Sequence, residues 1–315
     1  HIAVHLLYII KNKQRIRQSL GRHRGLLKKT KGPCCGQNAK GFLRPRKYFN
    51  TVLQTRKEQL CRCTKRKEIF MQDQFSRTRR LMGPQAVTLL AQSRVAVFGV
   101  GGVGGYAAEA LARSGVGTLD LFDKDTVSLT NLNRQIIALH STLGMPKAQV
   151  MAERIHDINP DCRVTAQQIF YLPQNADEID LTQYDYVVDC IDNVTAKLEL
   201  ITRCTRLGVP IISSMGAANK LDPTAFRVAD ISKTQVCPLA KVIRLECRRR
   251  KIKKLKVVYS TEQPIKPLPP QEGEENSPAS AAFVPGAAGL AVAGEVVLDL
   301  LEKGGALRSR PVAGC

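Results

Sequence analysis

A short apolar run leads directly into a glycine-rich loop and then into a helical pattern. Arg94–Phe98 reads RVAVF, the next six residues read GVGGVG, and residues 106–113 have the spacing and composition of a helix. A glycine loop between a strand and a helix points backbone N–H groups and the helix N-terminus at a phosphate group. We therefore expect a nucleotide site at Gly99, Gly101, Gly102 and Gly104.

Strand and helix patterns continue to alternate after this loop. Strands are predicted at Thr118–Phe122, 184–189 and 209–213, and helices at Lys147–Ile158 and 195–207. A helical lead-in at 72–92 precedes the first strand. This alternation predicts a Rossmann-like, doubly wound α/β fold with a mostly parallel sheet.

Beyond residue 216 the pattern changes to C-terminal strand and helix additions. Strands are predicted at 226–231 and Lys256–Ser260, with a basic helix at 240–254 between them. Residues 264–280 are rich in Pro, Glu and Ser, which predicts a mobile loop. Residues 281–301 are apolar over about one bilayer thickness, but Pro285, Glu295, Asp299 and three glycines favour a helix packed on the sheet over a membrane span.

The charge is concentrated at the N-terminal end. Residues 1–70 contain 19 Lys and Arg against two Glu, so +17 of the formal +21 lies there. We expect a basic, transit-like or disordered leader at 1–70 and a folded domain at 71–315. Such a leader favours targeting to a mitochondrion or plastid. Contact with nucleic acid, or no selected role in a cytoplasmic protein, are the alternatives.

Two acidic residues indicate a nucleotide without identifying it. Asp123 follows the second predicted strand, 19 residues after Gly104, and Asp125 lies close behind it. A carboxylate at this distance holds ribose hydroxyl groups in dinucleotide sites and in ATP sites alike. NAD, FAD and ATP therefore all remain open at this point.

Cationic residues favour ATP and adenylation over hydride transfer. Arg134 lies in residues 131–135 (NLNRQ), Lys147 begins the next predicted helix, and Arg77 precedes the first strand. A site that moves a carboxylate onto an α-phosphate and releases pyrophosphate needs such cations, whereas hydride transfer does not. Asp192 follows a strand at the edge where ligands bind in such sheets, and we expect it to hold Mg²⁺ on the phosphates.

Several motifs in sequence order resemble those of the ThiF/MoeB/ubiquitin-activating superfamily. They are GVGGVG, DKD at 123–125, NLNRQ, the lysine of PKA at 146–148 and DCIDN at 189–193. The resemblance extends from about residue 75 to residue 301. Other segments are most similar to the tRNA threonylcarbamoyladenosine dehydratase branch, namely 75–83, 148–162, 237–244, 259–267 and 283–301.

The resemblance implies an ATP-dependent enzyme that acts on tRNA carrying N6-threonylcarbamoyladenosine. ATP would adenylate the threonyl carboxylate, the carbamoyl group would attack it intramolecularly, and AMP and pyrophosphate would leave. A homodimer is also implied, with Arg77 reaching into the neighbouring subunit's site, and a sulfur-carrier or redox partner is left open. Catalytic roles fall on Arg77, Arg134, Lys147 and Asp192, and nucleotide contacts on the four glycines, Asp123, Asp125, Asn133, Arg134, Lys147 and Asp192.

The ten cysteines do not form the two CxxC pairs of a zinc site, so no zinc site is expected. Superfamily members that activate sulfur-carrier proteins typically have those pairs. Cys237 stands where the dehydratase pattern has an acid, and we expect no nucleophilic role for it. The alternative function is adenylation of a ubiquitin-like or sulfur-carrier protein, followed by a non-catalytic nucleotide-binding scaffold and, last, a dehydrogenase.

Overall fold

The computed structural model describes residues 72–272 and 277–307, so the basic leader lies outside the described residues. Its strands are β1 (Arg94–Phe98), β2 (Thr118–Phe122), β3 (Arg163–Gln167), β4 (Tyr186–Asp189), β5 (Ile211–Ser214), β6 (Phe226–Asp230) and β7 (Lys256–Ser260). Its helices are α1 (Ser76–Met82), α2 (Pro84–Gln92), α3 (Gly104–Ser114), α4 (Lys147–Ile158), α5 (Val194–Leu207), α6 (Pro238–Arg249) and α7 (Phe283–Lys303).

The seven strands form one sheet in the order β3-β2-β1-β4-β5-β7-β6. All neighbouring strands are parallel except the edge pair β6 and β7. The chain builds outward from β1 to β3 and then returns to place β4 beside β1, with Phe98 opposite Asp189. Ligands bind at such a reversal, outside the carboxyl ends of the strands. The predicted mostly parallel α/β fold is confirmed.

Alternating residues of the central strands enter two different cores. Val95 and Val97 face the larger core, which α2, α3, α4 and α7 cover. Ala96 and Phe98 face the opposite side, where α5 packs and Phe98 stacks on Phe122 at 4.4 Å between ring centroids. A third cluster lies between α5 and α6. Apolar residues on both faces explain why β1 reads as a continuous apolar run.

The structure differs from the local predictions at several places. The helical lead-in is two helices, because Gly83 between them has a φ of +97°. No strand was predicted at β3, because its exposed and half-buried residues alternate at the sheet edge and form no apolar run. The basic helix ends at Arg249 rather than at residue 254, and Lys251 just beyond it has a left-handed φ of 57°.

Helix α7 is a core helix of this fold. Within the described ranges it is the one helix long and apolar enough to cross a bilayer, and 67 % of its most apolar stretch is buried. Two of its acidic residues also have a partner, since Lys256 Nζ lies 2.7 Å from Glu295 Oε1 and 2.7 Å from Asp299 Oδ2. The prediction that this segment packs on the sheet is confirmed.

Candidate active site

The glycine loop joins β1 to α3 with little room for side chains. Gly99 has a φ of +86°, and a Cβ built there would lie 2.7 Å from the carbonyl oxygen of Cys190. A Cβ at Gly104 would lie 1.7 Å from the carbonyl oxygen of Gly99. Glycine is required at both positions, because the atoms in the way belong to the backbone. The loop therefore brings the end of β1 against the end of β4.

The start of α3 offers N–H groups to an anion. The backbone N–H groups of Gly101, Gly102 and Val103 donate to no acceptor in the described part of the chain. They lie at the N-terminus of an 11-residue helix, whose dipole adds partial positive charge. A Cβ at Gly101 would have its nearest contact at 3.8 Å, so the space beside the loop is open. This geometry fits a phosphate group.

Asp123 follows β2 and faces the glycine loop. Its Oδ2 accepts from the Val100 backbone N–H at 2.6 Å, and its Oδ1 accepts from the Asp125 N–H at 2.9 Å. Burial raises the pKa of the Asp123 carboxyl, although these two N–H groups and the nearby Lys147 oppose the rise. Each carboxylate oxygen has a second lone pair, so Asp123 can still accept from ribose hydroxyl groups.

Lys147 begins α4 and lies against the same segment. Its backbone N–H donates to the Asp125 carbonyl oxygen at 3.0 Å, and its Nζ lies 3.1 Å from Asp125 Oδ2. Thr126 and Pro146 form an isolated antiparallel bridge that holds the start of α4 in place. The side chain of Lys147 is buried, so its charge has a defined position. Asp123, Asp125 and Lys147 are thus brought together.

Arg134 lies close to Gly102 of the glycine loop. Its Nη1 donates to the Thr130 carbonyl oxygen at 2.8 Å and to Asn133 Oδ1 at 3.0 Å. A Cβ at Gly102 would lie 3.6 Å from Arg134 Cγ, so this side chain borders the glycine loop. Asn133 in turn donates from Nδ2 to the Ser280 carbonyl oxygen at 3.0 Å. Its predicted nucleotide role therefore coexists with a contact to the segment before α7.

Asp192 lies in the loop between β4 and α5. That loop begins at Cys190, whose carbonyl oxygen faces Gly99, so Asp192 shares the sheet edge with the glycine loop. Asp192 is exposed, and across residues 72–272 and 277–307 it makes no hydrogen bond or ion pair. Its carboxylate is available to a cation at the expected edge.

Arg77 is not brought to the loop within this chain. It is exposed on α1, two residues after Phe75, whose ring would lie 3.3 Å from a Cβ at Gly115. Gln74 Nε2 donates to Asn159 Oδ1 at 3.3 Å. Gly115 and Asn159 precede β2 and β3, so α1 lies at the amino edge of the sheet, opposite the glycine loop.

Two buried polar side chains at this edge were not assigned roles from sequence. Gln135 is 7 % exposed, its Oε1 has no hydrogen-bond partner among the described residues, and its Nε2 is the group 3.8 Å from a Cβ at Gly101. Lys197 is fully buried and pairs with Asp189 at the end of β4. Gln135 belongs to the NLNRQ motif, so that motif was a signal for it. No such signal marked Lys197, because it is a single lysine within an otherwise ordinary helical pattern.

The described thiols are unsuited to nucleophilic attack. Cys237 is 3 % exposed at the start of α6. Burial raises the pKa of Cys162 and Cys247 to about 11 and that of Cys204 to about 12. A thiol must ionise to act as a nucleophile, so these three are inert at neutral pH.

Comparison with known proteins finds similar enzymes in Bacillus subtilis and Escherichia coli. The tRNA threonylcarbamoyladenosine dehydratase of Bacillus subtilis strain 168 is 47% identical over 244 residues, covering 74% of this chain and 96% of that protein. The crystal structure of Escherichia coli tRNA N6-threonylcarbamoyladenosine dehydratase with AMP has a TM-score of 0.68 and 37% identity, covering 74% of this chain and 95% of that one. The same enzyme with ATP has a TM-score of 0.67 at the same identity and coverage.

A family model also matches most of the described chain. The ThiF family model matches residues 75–309, which include every element of the described sheet and the whole candidate site. This chain therefore belongs to the ThiF family.

Proposed function

We propose that this protein uses ATP to adenylate the threonyl carboxylate of N6-threonylcarbamoyladenosine in tRNA, and that this activation drives the loss of one water. One observation carries the proposal. Free loop N–H groups, Asp123 and Lys147 share one sheet edge in a chain similar over most of its length to enzymes named for this reaction. The same edge would bind the adenosine triphosphate.

The proposed reaction has two steps. In the first, a carboxylate oxygen bonds to the α-phosphorus of ATP and the bond to pyrophosphate breaks. In the second, the carbamoyl group bonds to the acyl carbon, loses its proton, and the acyl bond to AMP breaks. Lys147 and Arg134 would offset negative charge on the phosphates during the first step, because fixed cations stabilise charge that develops in the transition state.

The residues present fit a bound Mg²⁺. Mg²⁺ in nucleotide sites is held by one or two carboxylates together with phosphate oxygens and waters. The exposed carboxylate of Asp192, which has no partner among the described residues and lies in the loop that meets Gly99, would serve as such a ligand. When bound, the ion would supply charge neutralisation on the triphosphate.

We further propose a homodimer in which Arg77 serves the partner subunit's site. Its position on α1 at the opposite sheet edge separates it from the glycine loop of its own chain, which supports a role in a neighbouring subunit. Dehydration transfers no sulfur and changes no oxidation state, so the reaction needs neither a sulfur-carrier nor a redox partner. It also needs no enzyme thiol, which agrees with the buried position of Cys237.

The deciding experiment is mass spectrometry of nucleosides from tRNA incubated with protein and ATP. We expect the threonylcarbamoyl nucleoside to lose the mass of one water, with AMP and pyrophosphate formed in equal amounts. An unchanged nucleoside despite ATP–pyrophosphate exchange stimulated by a ubiquitin-like protein would instead favour the protein-activating function.

The basic leader at 1–70 is proposed as an organellar targeting segment, on the basis of its charge of +17. Fusion of this segment to a fluorescent protein should send the fusion to a mitochondrion or plastid. A diffuse cytoplasmic signal would contradict targeting.

A further inference from the structure

A cavity of about 230 Å³ lies next to the candidate active site. It is lined by residues 219–221, Ile265, Pro267 and residues 279–281. One wall is connected to the nucleotide loop, because the Ser280 carbonyl oxygen accepts from Asn133 Nδ2 at 3.0 Å. Asn133 Oδ1 accepts from Arg134, which borders Gly102. One wall of the cavity is therefore linked to the proposed ATP site through Asn133 and Arg134.

Asn219 holds the cavity walls together. Its backbone N–H donates to the Ala279 carbonyl oxygen at 2.7 Å, and its Oδ1 accepts from the Ala279 N–H at 2.9 Å. Its carbonyl oxygen accepts from the Ile265 N–H at 2.8 Å. A left-handed φ of 60° allows Asn219 to make all three contacts, and asparagine tolerates that conformation better than most residues. The walls are thus fixed by hydrogen bonds.

Lys220 lines this cavity as a buried cation without an acidic partner. It is 3 % exposed, and its Nζ donates to the Glu262 backbone carbonyl oxygen at 3.1 Å. The Glu262 carboxylate accepts instead from the N–H groups of Leu221 and Asp222, each at 2.9 Å. Across the described ranges Lys220 forms no salt bridge and no other hydrogen bond, although an ammonium has three N–H donors. Buried charges in proteins are normally paired, so this one calls for an anionic ligand.

We propose that this cavity binds the threonylcarbamoyl group of the tRNA substrate, with Lys220 holding its carboxylate and the apolar wall contacting its methyl group. The inference rests on the proposed function and adds the residue that recognises the acid to be activated. Leu221, Ile265 and Pro267 supply the apolar surface. A cation at Lys220 also offsets the repulsion between the substrate carboxylate and the α-phosphate, which must approach each other before the first step.

The test compares Lys220→Met, which keeps the length of the side chain and removes the charge, with Lys220→Arg. An exposed lysine away from the cavity, Lys233, provides the matched control Lys233→Met. We expect kcat/KM for the modified tRNA to fall about tenfold to a hundredfold in Lys220→Met, as for loss of one charge-assisted hydrogen bond. The Kd for ATP should stay unchanged, and Lys220→Arg should recover most of the activity.

Two further measurements separate this inference from the proposed function. N-carbamoyl-L-threonine should bind the wild-type protein in calorimetry and bind Lys220→Met at least about tenfold more weakly, whether or not tRNA is turned over. Lys220→Met should unfold at the same or a higher urea concentration, since within the described part of the chain the lysine has no carboxylate to leave unpaired. Wild-type kcat/KM in Lys220→Met, or equal binding of the small acid by both proteins, would overturn the inference. Absence of the dehydrated nucleoside with wild-type protein would overturn only the proposed function.

Discussion

Lys197 Nζ donates to Asp189 Oδ2 at 2.8 Å, and neither side chain is exposed to solvent. Ser213 Oγ donates to the same carboxylate oxygen at 2.6 Å, and Lys197 also donates to the Ser214 carbonyl oxygen at 3.0 Å. The other oxygen of Asp189 accepts from the Ile191 N–H at 3.1 Å. This network fixes the end of β4, from which the loop carrying Asp192 departs toward the glycine loop.

Replacement of Lys197 by methionine should therefore destabilise the fold. It leaves the Asp189 carboxylate buried without its cation, and removal of one partner of a buried pair costs about 3–5 kcal/mol in free energy of unfolding. Urea denaturation provides the measurement. Arg249→Met is the control, because its pair with Glu246 is exposed and should change stability by less than about 1 kcal/mol. Equal losses in the two variants would show that the buried network does not stabilise the fold.

Two glycines of the same loop should respond differently to alanine. Gly101→Ala should fold normally, since its new Cβ meets nothing within 3.8 Å, but should weaken ATP binding by occupying the space beside the loop. Gly104→Ala should lower the melting temperature, since its Cβ would lie 1.7 Å from a backbone oxygen. Thermal melts and calorimetric titration with ATP check both. Unaltered ATP affinity in Gly101→Ala would place the nucleotide elsewhere.

Lys147→Met should abolish most of the adenylation chemistry. ATP–pyrophosphate exchange, measured with the modified tRNA present, should fall by at least about a hundredfold, as for loss of a preorganised charge. Asp125→Asn is a useful companion, because it removes the residue that holds the lysine while leaving the lysine itself. The exchange rate should fall by less in Asp125→Asn than in Lys147→Met. Exchange near the wild-type rate in Lys147→Met would remove this residue from the site.

The role of Arg77 can be tested by mixing inactive subunits. Arg77→Ala and Lys147→Met should each be inactive alone, but a coexpressed mixture should recover about one quarter of wild-type activity. In the mixed dimer one site combines an intact Lys147 with an intact Arg77 from the other subunit. Mixed protein as inactive as either parent would mean that Arg77 does not act across a subunit boundary.

As the pH falls, nucleotide binding should begin to weaken at a higher pH than it would if Asp123 had the pKa of an ordinary aspartate. Burial raises the folded-state pKa of Asp123, so its carboxylate gains a proton and loses an acceptor for ribose at a higher pH than usual. In the protein without nucleotide, protonation of Asp123 has the opposite effect, because it favours the folded state. The ionised form is disfavoured by burial, so this group's contribution to stability decreases as pH rises through the folded-state pKa.

The comparison of wild type with Asp123→Asn isolates this group from the other carboxyls. Calorimetric titrations with ATP from neutral pH to about pH 4 should show a steeper loss of affinity in the wild type. Parallel pH profiles would mean that Asp123 does not contact the nucleotide.

Local patterns predicted the elements that are buried on both faces. The bounds of β1, β2 and α4 agree with the structure, because continuous apolar residues, glycine loops and Pro146 mark their ends. Strand β3 escaped prediction because it is an edge strand with exposed Arg163, Thr165 and Gln167, and such alternation differs little from that of a loop. Gly83 divides the lead-in helix through a backbone angle that sequence periodicity does not reveal.

Local sequence patterns were enough to predict the glycine loop, the acid that follows the second strand, and the order of the cationic residues along the chain. The tertiary structure was needed to show that Lys147 meets Asp125 and that Asp192 shares an edge with Gly99. It was also needed to show that Lys220 is buried with no carboxylate partner among residues 72–272 and 277–307. The physical reason is strand order. Pairing of β4 with β1, rather than with β3, is a long-range choice made by packing on both sheet faces, and no local pattern encodes it.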